Sequence, residues 1–300
     1  MTILVDIRMI IIKFGGSVIT NKAKKGVYNS KTTQQLLAEL REFYDKGINS
    51  SQQSIKYSKK SKSNLEKKKN KKDRSKDIDY KLILIHGAGS FGHISAKKYK
   101  LNLGYQNKTQ LMGLSEVHQD VRDLNLRFMN DLLLNGFPGI SIPPMVILRN
   151  KAKMIAYMDS DIFQKVLDMH CIPITFGDVV PDETLGFSIC SGDTIIQELT
   201  KIFKPTRVIF ITDVDGVFTL NPKDSEAKLI RTLTPETFLK AYTSENQNPD
   251  VTGGIYLKAS IALALAQNGV DTYIINGTIP GRLTAALYGK TVNGTIAKGY

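Results

Sequence analysis

Glycine and lysine recur together in this chain in a pattern that suits phosphate chemistry. Four stretches each close a predicted strand: Lys13-Phe14-Gly15-Gly16-Ser17, the run His86 to His93 (HGAGSFGH), Phe176-Gly177-Asp178 and Thr212-Asp213-Val214-Asp215-Gly216. A fifth, Thr252-Gly253-Gly254 with Lys258, opens a predicted helix. Glycine lets backbone approach a ligand closely, and the N–H groups at a helix start favour anions. Lys258 follows Gly254 by one helical turn, a spacing that brings its side chain back over the glycine turn. Several such turns on one strand edge, with lysines beside the first and last, describe a phosphoryl-transfer site.

The elements that would hold these turns alternate. Met9–Phe14 reads as a buried strand, and Leu36, Leu37, Leu40 and Phe43 recur at helical spacing within Thr32–Tyr44. Lys81–Ile85 resumes as strand, and Leu114, Val117, Val121, Leu124, Phe128 and Leu132 form one stripe of a long helix over Gly113–Asn135. Pro143–Leu148 and Ile172–Phe176 read as strands flanking a helix near Asp161–Met169, followed by helix Ile195–Ile202 and strand Val208–Ile211. Thr234-Pro235-Glu236 starts a helix, Leu257–Gln267 is another, and Thr272–Ile275 is a strand. This alternation predicts an α/β fold, an αβα sandwich around a mostly parallel sheet. Ligands of such sheets bind beyond the carboxyl ends of the strands, where the glycine turns lie.

The formal charge of +13 over 300 residues suggests nucleic acid until it is located. Residues 50–79 hold eleven Lys/Arg against four Asp/Glu and supply +7 of it. That stretch is almost free of apolar residues and reads as a disordered insertion in one domain. The remaining +6 suits a protein that binds phosphates, so nucleic acid is the minor reading. Two cysteines, Cys171 and Cys190, exclude a disulfide framework and favour a reducing, cytoplasmic setting. No apolar run is long enough to cross a bilayer, and the first residues do not read as a signal peptide; Met9 is an alternative start.

Several chemistries share parts of this pattern. Gly87-x-Gly89-x-x-Gly92 satisfies a dinucleotide fingerprint, but no strand ending in an acid follows at the required distance. Thr212–Val217 resembles the opening motif of haloacid-dehalogenase phosphatases, with Asp213 as nucleophile, yet it stands late in the chain and lacks the later metal motif. P-loop and protein-kinase signatures are absent.

Taken together, IKFGGSVITNK (12–22), HGAGSFGH (86–93), ITFGDVVPD (174–182), SGDTI (191–195), TDVDGVF (212–218), DVTGGIYLK (250–258) and GKTVNGTIAKG (289–299) resemble the amino acid kinase superfamily and, within it, the isopentenyl phosphate kinases. The glycine–serine and TGG elements specify the superfamily; GSFGH with its closing His93 points to the branch. The resemblance implies ATP and isopentenyl phosphate as substrates, with an acceptor-binding half over about 9–180 and an ATP-binding half over about 181–300, Mg²⁺ carried with ATP and no protein-held metal, and a homodimer. It implies that Lys13, Gly15, Gly16, Ser17, Gly89, Asp213, Gly254 and Lys258 contact the nucleotide, with Lys13 bridging its phosphates. Ala88, His93 and Gly177 would contact the acceptor phosphate, Lys22 would lie near the transferred group, and Asp193 would hold the catalytic lysines or cap its helix. The valine–leucine stripe would line the acceptor's tail. A fosfomycin-kinase-like enzyme, with the same glycine–histidine loop, is the alternative within the fold.

Overall fold

Ile10, Ile11, Ile12 and Phe14 are all fully buried, so the first strand has apolar neighbours on both faces and lies inside a covered sheet. The computed structural model describes residues 6–60, 78–242 and 254–300. Its strands in chain order are β1 (Asp6–Phe14), β2 (Ile78–His86), β3 (Gly139–Ser141), β4 (Leu148–Lys151), β5 (Met154–Met158) and β6 (Ile172–Phe176), then β7 (Asp178–Asp182), β8 (Gly186–Cys190), β9 (Arg207–Thr212), β10 (Asp271–Asn276) and β11 (Thr295–Ala297). The helices are α1 (Gly16–Ile19), α2 (Ser30–Lys60), α3 (Gly89–Lys98), α4 (Thr109–Leu134) and α5 (Pro144–Ile147), followed by α6 (Asp161–Asp168), α7 (Gly192–Phe203), α8 (Pro235–Tyr242), α9 (Gly254–Ala266) and α10 (Arg282–Leu287).

Seven strands form the main sheet in the order β11-β10-β9-β1-β2-β6-β3, parallel except for the edge pair β10 and β11. Strand periodicity sorts its side chains into two layers. Ile10, Ile12 and Phe14 pack with Leu82, Leu84, Ile209 and Ile211 beneath α2, α4 and α10. Ile11 packs with Ile83, Ile85, Val208 and Phe210 beneath α6, α7 and α9. Lys13 shares the parity of Ile11 and is therefore delivered to the α7–α9 side. The expected αβα sandwich is present.

Register decides where the turns fall. Phe14 pairs with His86 on one side and Ile211 on the other, and His86 pairs with Phe176. The four adjacent strands β9, β1, β2 and β6 thus end side by side, and their glycine turns form one edge.

Three differences from the sequence reading have physical causes. Pro143–Leu148, expected as a strand, is the helical turn α5 up to Ile147, because Pro144 sits at a helix start where its fixed φ is favourable. The hairpins β4–β5 and β7–β8 make a second sheet, ordered β5-β4-β7-β8, that the sequence reading lacks. Finally, α2 continues to Lys60, so residues 50–60 of the expected irregular insertion are helical, in keeping with the helix propensity of Gln and Lys; residues 61–77 lie outside the described residues.

Phe128 is fully buried and meets Phe14 edge-to-face with ring centroids 5.0 Å apart. Phe128→Ala is expected to cost about 3–5 kcal/mol of stability, read from the urea midpoint of unfolding.

Candidate active site

A cavity of about 770 Å³ opens over the ends of β9, β1, β2 and β6. Four helices begin on it: α1 at Gly16, α3 at Gly89, α7 at Gly192 and α9 at Gly254. The first-turn N–H groups of a helix have no partner inside the helix, and its dipole favours negative charge there. The sequence reading placed glycine turns at three of these starts, read only the one at Gly254 as opening a helix, and gave α7 as a helix over Ile195–Ile202 without an anion-facing start.

The glycines permit backbones to touch. A Cβ on Gly16 would lie 2.6 Å from the Cα of Gly89, and Gly89 itself has φ +50° with Thr20 filling the space a side chain would need. Thr20 ties the two turns together, donating from its hydroxyl to the Gly16 carbonyl (2.6 Å) and accepting from the Ser90 N–H (3.0 Å). Two of the expected phosphate donors are committed elsewhere. The Gly15 N–H donates to the Ile211 carbonyl (2.9 Å) and the Gly177 N–H to the His86 carbonyl (3.1 Å). Both residues border the cavity, but their N–H groups join neighbouring strand ends, leaving the helix starts to face a ligand.

Lys13 donates to Asp193 Oδ1 at 2.5 Å and Lys258 to Asp193 Oδ2 at 3.4 Å. Lys258 also reaches back to the Gly254 carbonyl (3.0 Å), as its spacing predicts. Burial draws the Lys13 ammonium below the usual lysine range, with Lys258 acting the same way and Asp193 opposing. Burial alone would raise the Asp193 carboxyl; the two lysines outweigh it and hold it low. The helix cap is Ser191, whose Oγ accepts from the Thr194 N–H (3.1 Å), so Asp193 is not the cap and both its oxygens serve the lysines. Lys22 lies on the exposed side of the cavity and pairs with Asp213 at 2.5 Å. Asp213 is held low, since the Lys22 and Ser17 side chains outweigh its burial.

His93 projects from the first turns of α3 into the cavity. Burial and the charges of Lys13 and Lys258 lower its pKa, with Asp193 opposing, which favours the neutral ring. His86 lies beneath the loop, stacked on Phe176 at 5.0 Å, with Nε2 3.2 Å from Asn125 Oδ1 and Nδ1 3.2 Å from the Gly87 carbonyl. Asp178 is buried against a bidentate Arg122 (3.1 and 2.9 Å). Arg122 was invisible to the sequence reading because its partner lies 56 positions away. Cys190 also borders the cavity, but burial pushes its thiol up to about 12, so it offers no nucleophile.

The predicted α4 stripe divides. Val117 and Val121 line the cavity with Ala96, Val179 and Ile189, whereas Leu124, Phe128 and Leu132 belong to the core under the sheet. Leu114 packs beside Val117 and does not border the cavity. Residues 252 and 253 of the TGG element lie outside the described residues.

A sequence model of the amino acid kinase family matches residues 8–276. The chain belongs to the amino acid kinase family. Among curated amino acid kinases, isopentenyl phosphate kinase of Methanothermobacter thermautotrophicus is 37% identical over 221 residues, covering 71% of this chain and 83% of that one. Its counterpart in Methanocaldococcus jannaschii is 32% identical over 228 residues, 75% and 82% of the two chains. A solved isopentenyl phosphate kinase superposes with a TM-score of 0.73 at 30% identity, covering 96% of this chain and 99% of that one. Family membership removes the dinucleotide and aspartyl-phosphatase readings of Gly87–Gly92 and Asp213, and it implies ATP use.

The buried His86 supplies a prediction. Desolvation, opposed by contacts from Gly87 and Asn125, pushes its pKa from 6.5 down to about 4. The unfolded chain therefore takes up this proton first as pH falls, and stability is lost between about pH 6.5 and 4, by about 3 kcal/mol from this residue. Denaturant midpoints across that window, with the ring titrated by NMR, should show the loss and a pKa near 4.

Proposed function

We propose that this protein transfers the γ-phosphoryl group of ATP to isopentenyl phosphate, forming isopentenyl diphosphate and ADP in isoprenoid synthesis. The observation that carries the reading is the two-sided cavity. Lysines and helix starts meet at its strand-end floor, and Ala96, Val117, Val121, Val179 and Ile189 give it an apolar wall beside His93. A phosphate with a short branched hydrocarbon tail matches both surfaces. Its relatives of that name, at 32–37% identity, support the same acceptor.

The acceptor phosphate is ionised near neutral pH, so attack needs little help from a base. One of its oxygens forms a bond to the γ-phosphorus as the bond to the β-γ bridging oxygen breaks, and the leaving charge remains on ADP. The work of the protein is alignment and charge neutralisation. Lys258 and Lys13, fixed on Asp193, face the nucleotide phosphates, and the starts of α1 and α9, with Gly16, Ser17 and Gly254, add N–H donors. His93 and the Ala88–Gly89 turn receive the acceptor phosphate, with the His93 ring gaining a proton or donating an N–H as the anion arrives. Lys22, exposed and paired with Asp213, exchanges that partner for the group in flight. The carboxylates do not suit a resident metal: Asp193, Asp213 and Asp178 already face Lys13 and Lys258, Lys22, and Arg122 respectively. Mg²⁺ would be carried in with ATP and would supply positive charge to its phosphates. The chain acts as a one-domain enzyme, and a cytoplasmic homodimer is the setting that its family resemblance and two free cysteines support.

Coupled ADP release with ATP and Mg²⁺ tests this. Isopentenyl phosphate should turn over saturably, ahead of fosfomycin and amino acids; turnover on fosfomycin alone would overturn the acceptor assignment. Lys13→Ala and Lys258→Ala should each lose about 10²–10³ in kcat. His93→Ala should raise KM for the acceptor while leaving KM for ATP unchanged.

A further inference from the structure

Residues 21–27, between α1 and α2, are all exposed, so no buried apolar contact holds the tip of this excursion. Its base is closed by the bridge of Thr20 with Tyr28, the Asn21 N–H donating to the Val27 carbonyl (2.9 Å), and the Tyr28 hydroxyl donating to Asp131 (2.7 Å). Two lysines leave it in opposite directions. Lys22 reaches Asp213, just past the end of β9, on the nucleotide side. Lys25 reaches Glu116 and Asp120 on α4, the latter at 2.8 Å. Those two acids stand one helical turn apart and so share a face. Glu116 is steadied in turn by the Ser95 hydroxyl of α3 (2.8 Å). Val117 and Val121, the residues next to these acids, form the apolar wall. The excursion therefore borders the cavity at Lys22 and is tied on one side to Asp213 after β9 and on the other to α4.

We propose that residues 21–27 form a crossbar in which the pairing of Lys25 with Glu116 and Asp120 positions Lys22 over the phosphoryl group being transferred. This rests on the kinase reading of the cavity. Lys25, Glu116 and Asp120 are positioning residues; Lys22 is the group that meets the substrate. With Lys25 holding the tip on α4, Lys22 exchanges Asp213 for phosphoryl oxygens by side-chain rotation, without the backbone having to be ordered again at each turnover. The same tie makes the position of Lys22 sensitive to α4, the helix that contacts the acceptor's tail, so a correctly seated tail and a correctly placed lysine are mechanically linked. The charges persist across the working pH range, because hydrogen bonds from Lys25 and Ser95 hold the Glu116 carboxyl down to about 2 and hydrogen bonds to Asp120 and Glu116 raise the Lys25 ammonium.

A double-mutant cycle on the full chain tests the crossbar. Lys25→Met is expected to lower kcat about tenfold with KM for ATP unchanged, since a small misplacement of a charge-neutralising group costs rate rather than nucleotide binding. Lys25→Arg should restore most of the loss. In a Lys22→Ala background, Lys25→Met should cost nothing further, because it acts through Lys22. Hydrogen exchange of the 21–27 amides should quicken in Lys25→Met while the β-sheet amides stay unchanged. Equal losses in both backgrounds, or unaltered exchange in the crossbar, would overturn the proposal. If the wild-type protein turns over a different acceptor, the substrate assignment fails on its own, and the cycle on that acceptor together with the exchange rates still decides the crossbar.

Discussion

One carboxylate holds the active site together. Asp193 lies buried between Lys13 from β1 and Lys258 from α9, one oxygen to each. Two ammonium groups brought within a few ångström of one another repel, by about 4 kcal/mol at 4 Å in an effective dielectric near 20. A shared carboxylate between them converts that repulsion into a fixed geometry, and the arrangement retains one net positive charge at the cavity. The surroundings are organised around this need. Strand parity sends Lys13 to the α7 side, Ser191 takes over the helix cap, and the first turn of α7 is electrostatically suited to an acid.

Two turns at neighbouring strand ends lie in contact because their glycines allow it. The β1–α1 and β2–α3 turns meet backbone to backbone at Gly16 and Gly89, with Thr20 hydrogen-bonded to both loops. The N–H groups of Gly15 and Gly177 are used to join adjacent strand ends, so the helix starts are what remain available to anions. A glycine-rich loop is thus a division of labour in which some amides build the platform and others face the ligand.

Opposite the charged floor, α4 serves two environments along one stripe. Its Val117–Val121 segment borders the cavity, whereas its Leu124–Leu132 segment is core. The second sheet supplies Val179 and Ile189 to the same wall, so this apolar wall is built by elements added onto the central sheet rather than by the sheet itself.

Local chemistry determined much of this from the residues alone. Continuous apolar runs made Met9–Phe14 and Ile172–Phe176 buried strands, glycine turns marked their ends, and the spacing of Lys258 behind Gly254 placed its ammonium over that turn. These are short-range consequences of backbone sterics and periodicity, and they needed no partner. Tertiary structure decided what depended on distant partners. Nothing local distinguishes Asp193 as a lysine clamp from Asp193 as a helix cap; that required β1 and α9 to converge on α7. Arg122 acquired its meaning from Asp178, the valines of α4 from the second sheet, and Lys25 from Glu116 and Asp120, 91 and 95 positions along the chain. Ion pairs and cavity walls are relations between separate elements, and only the packing of those elements specifies which residues meet.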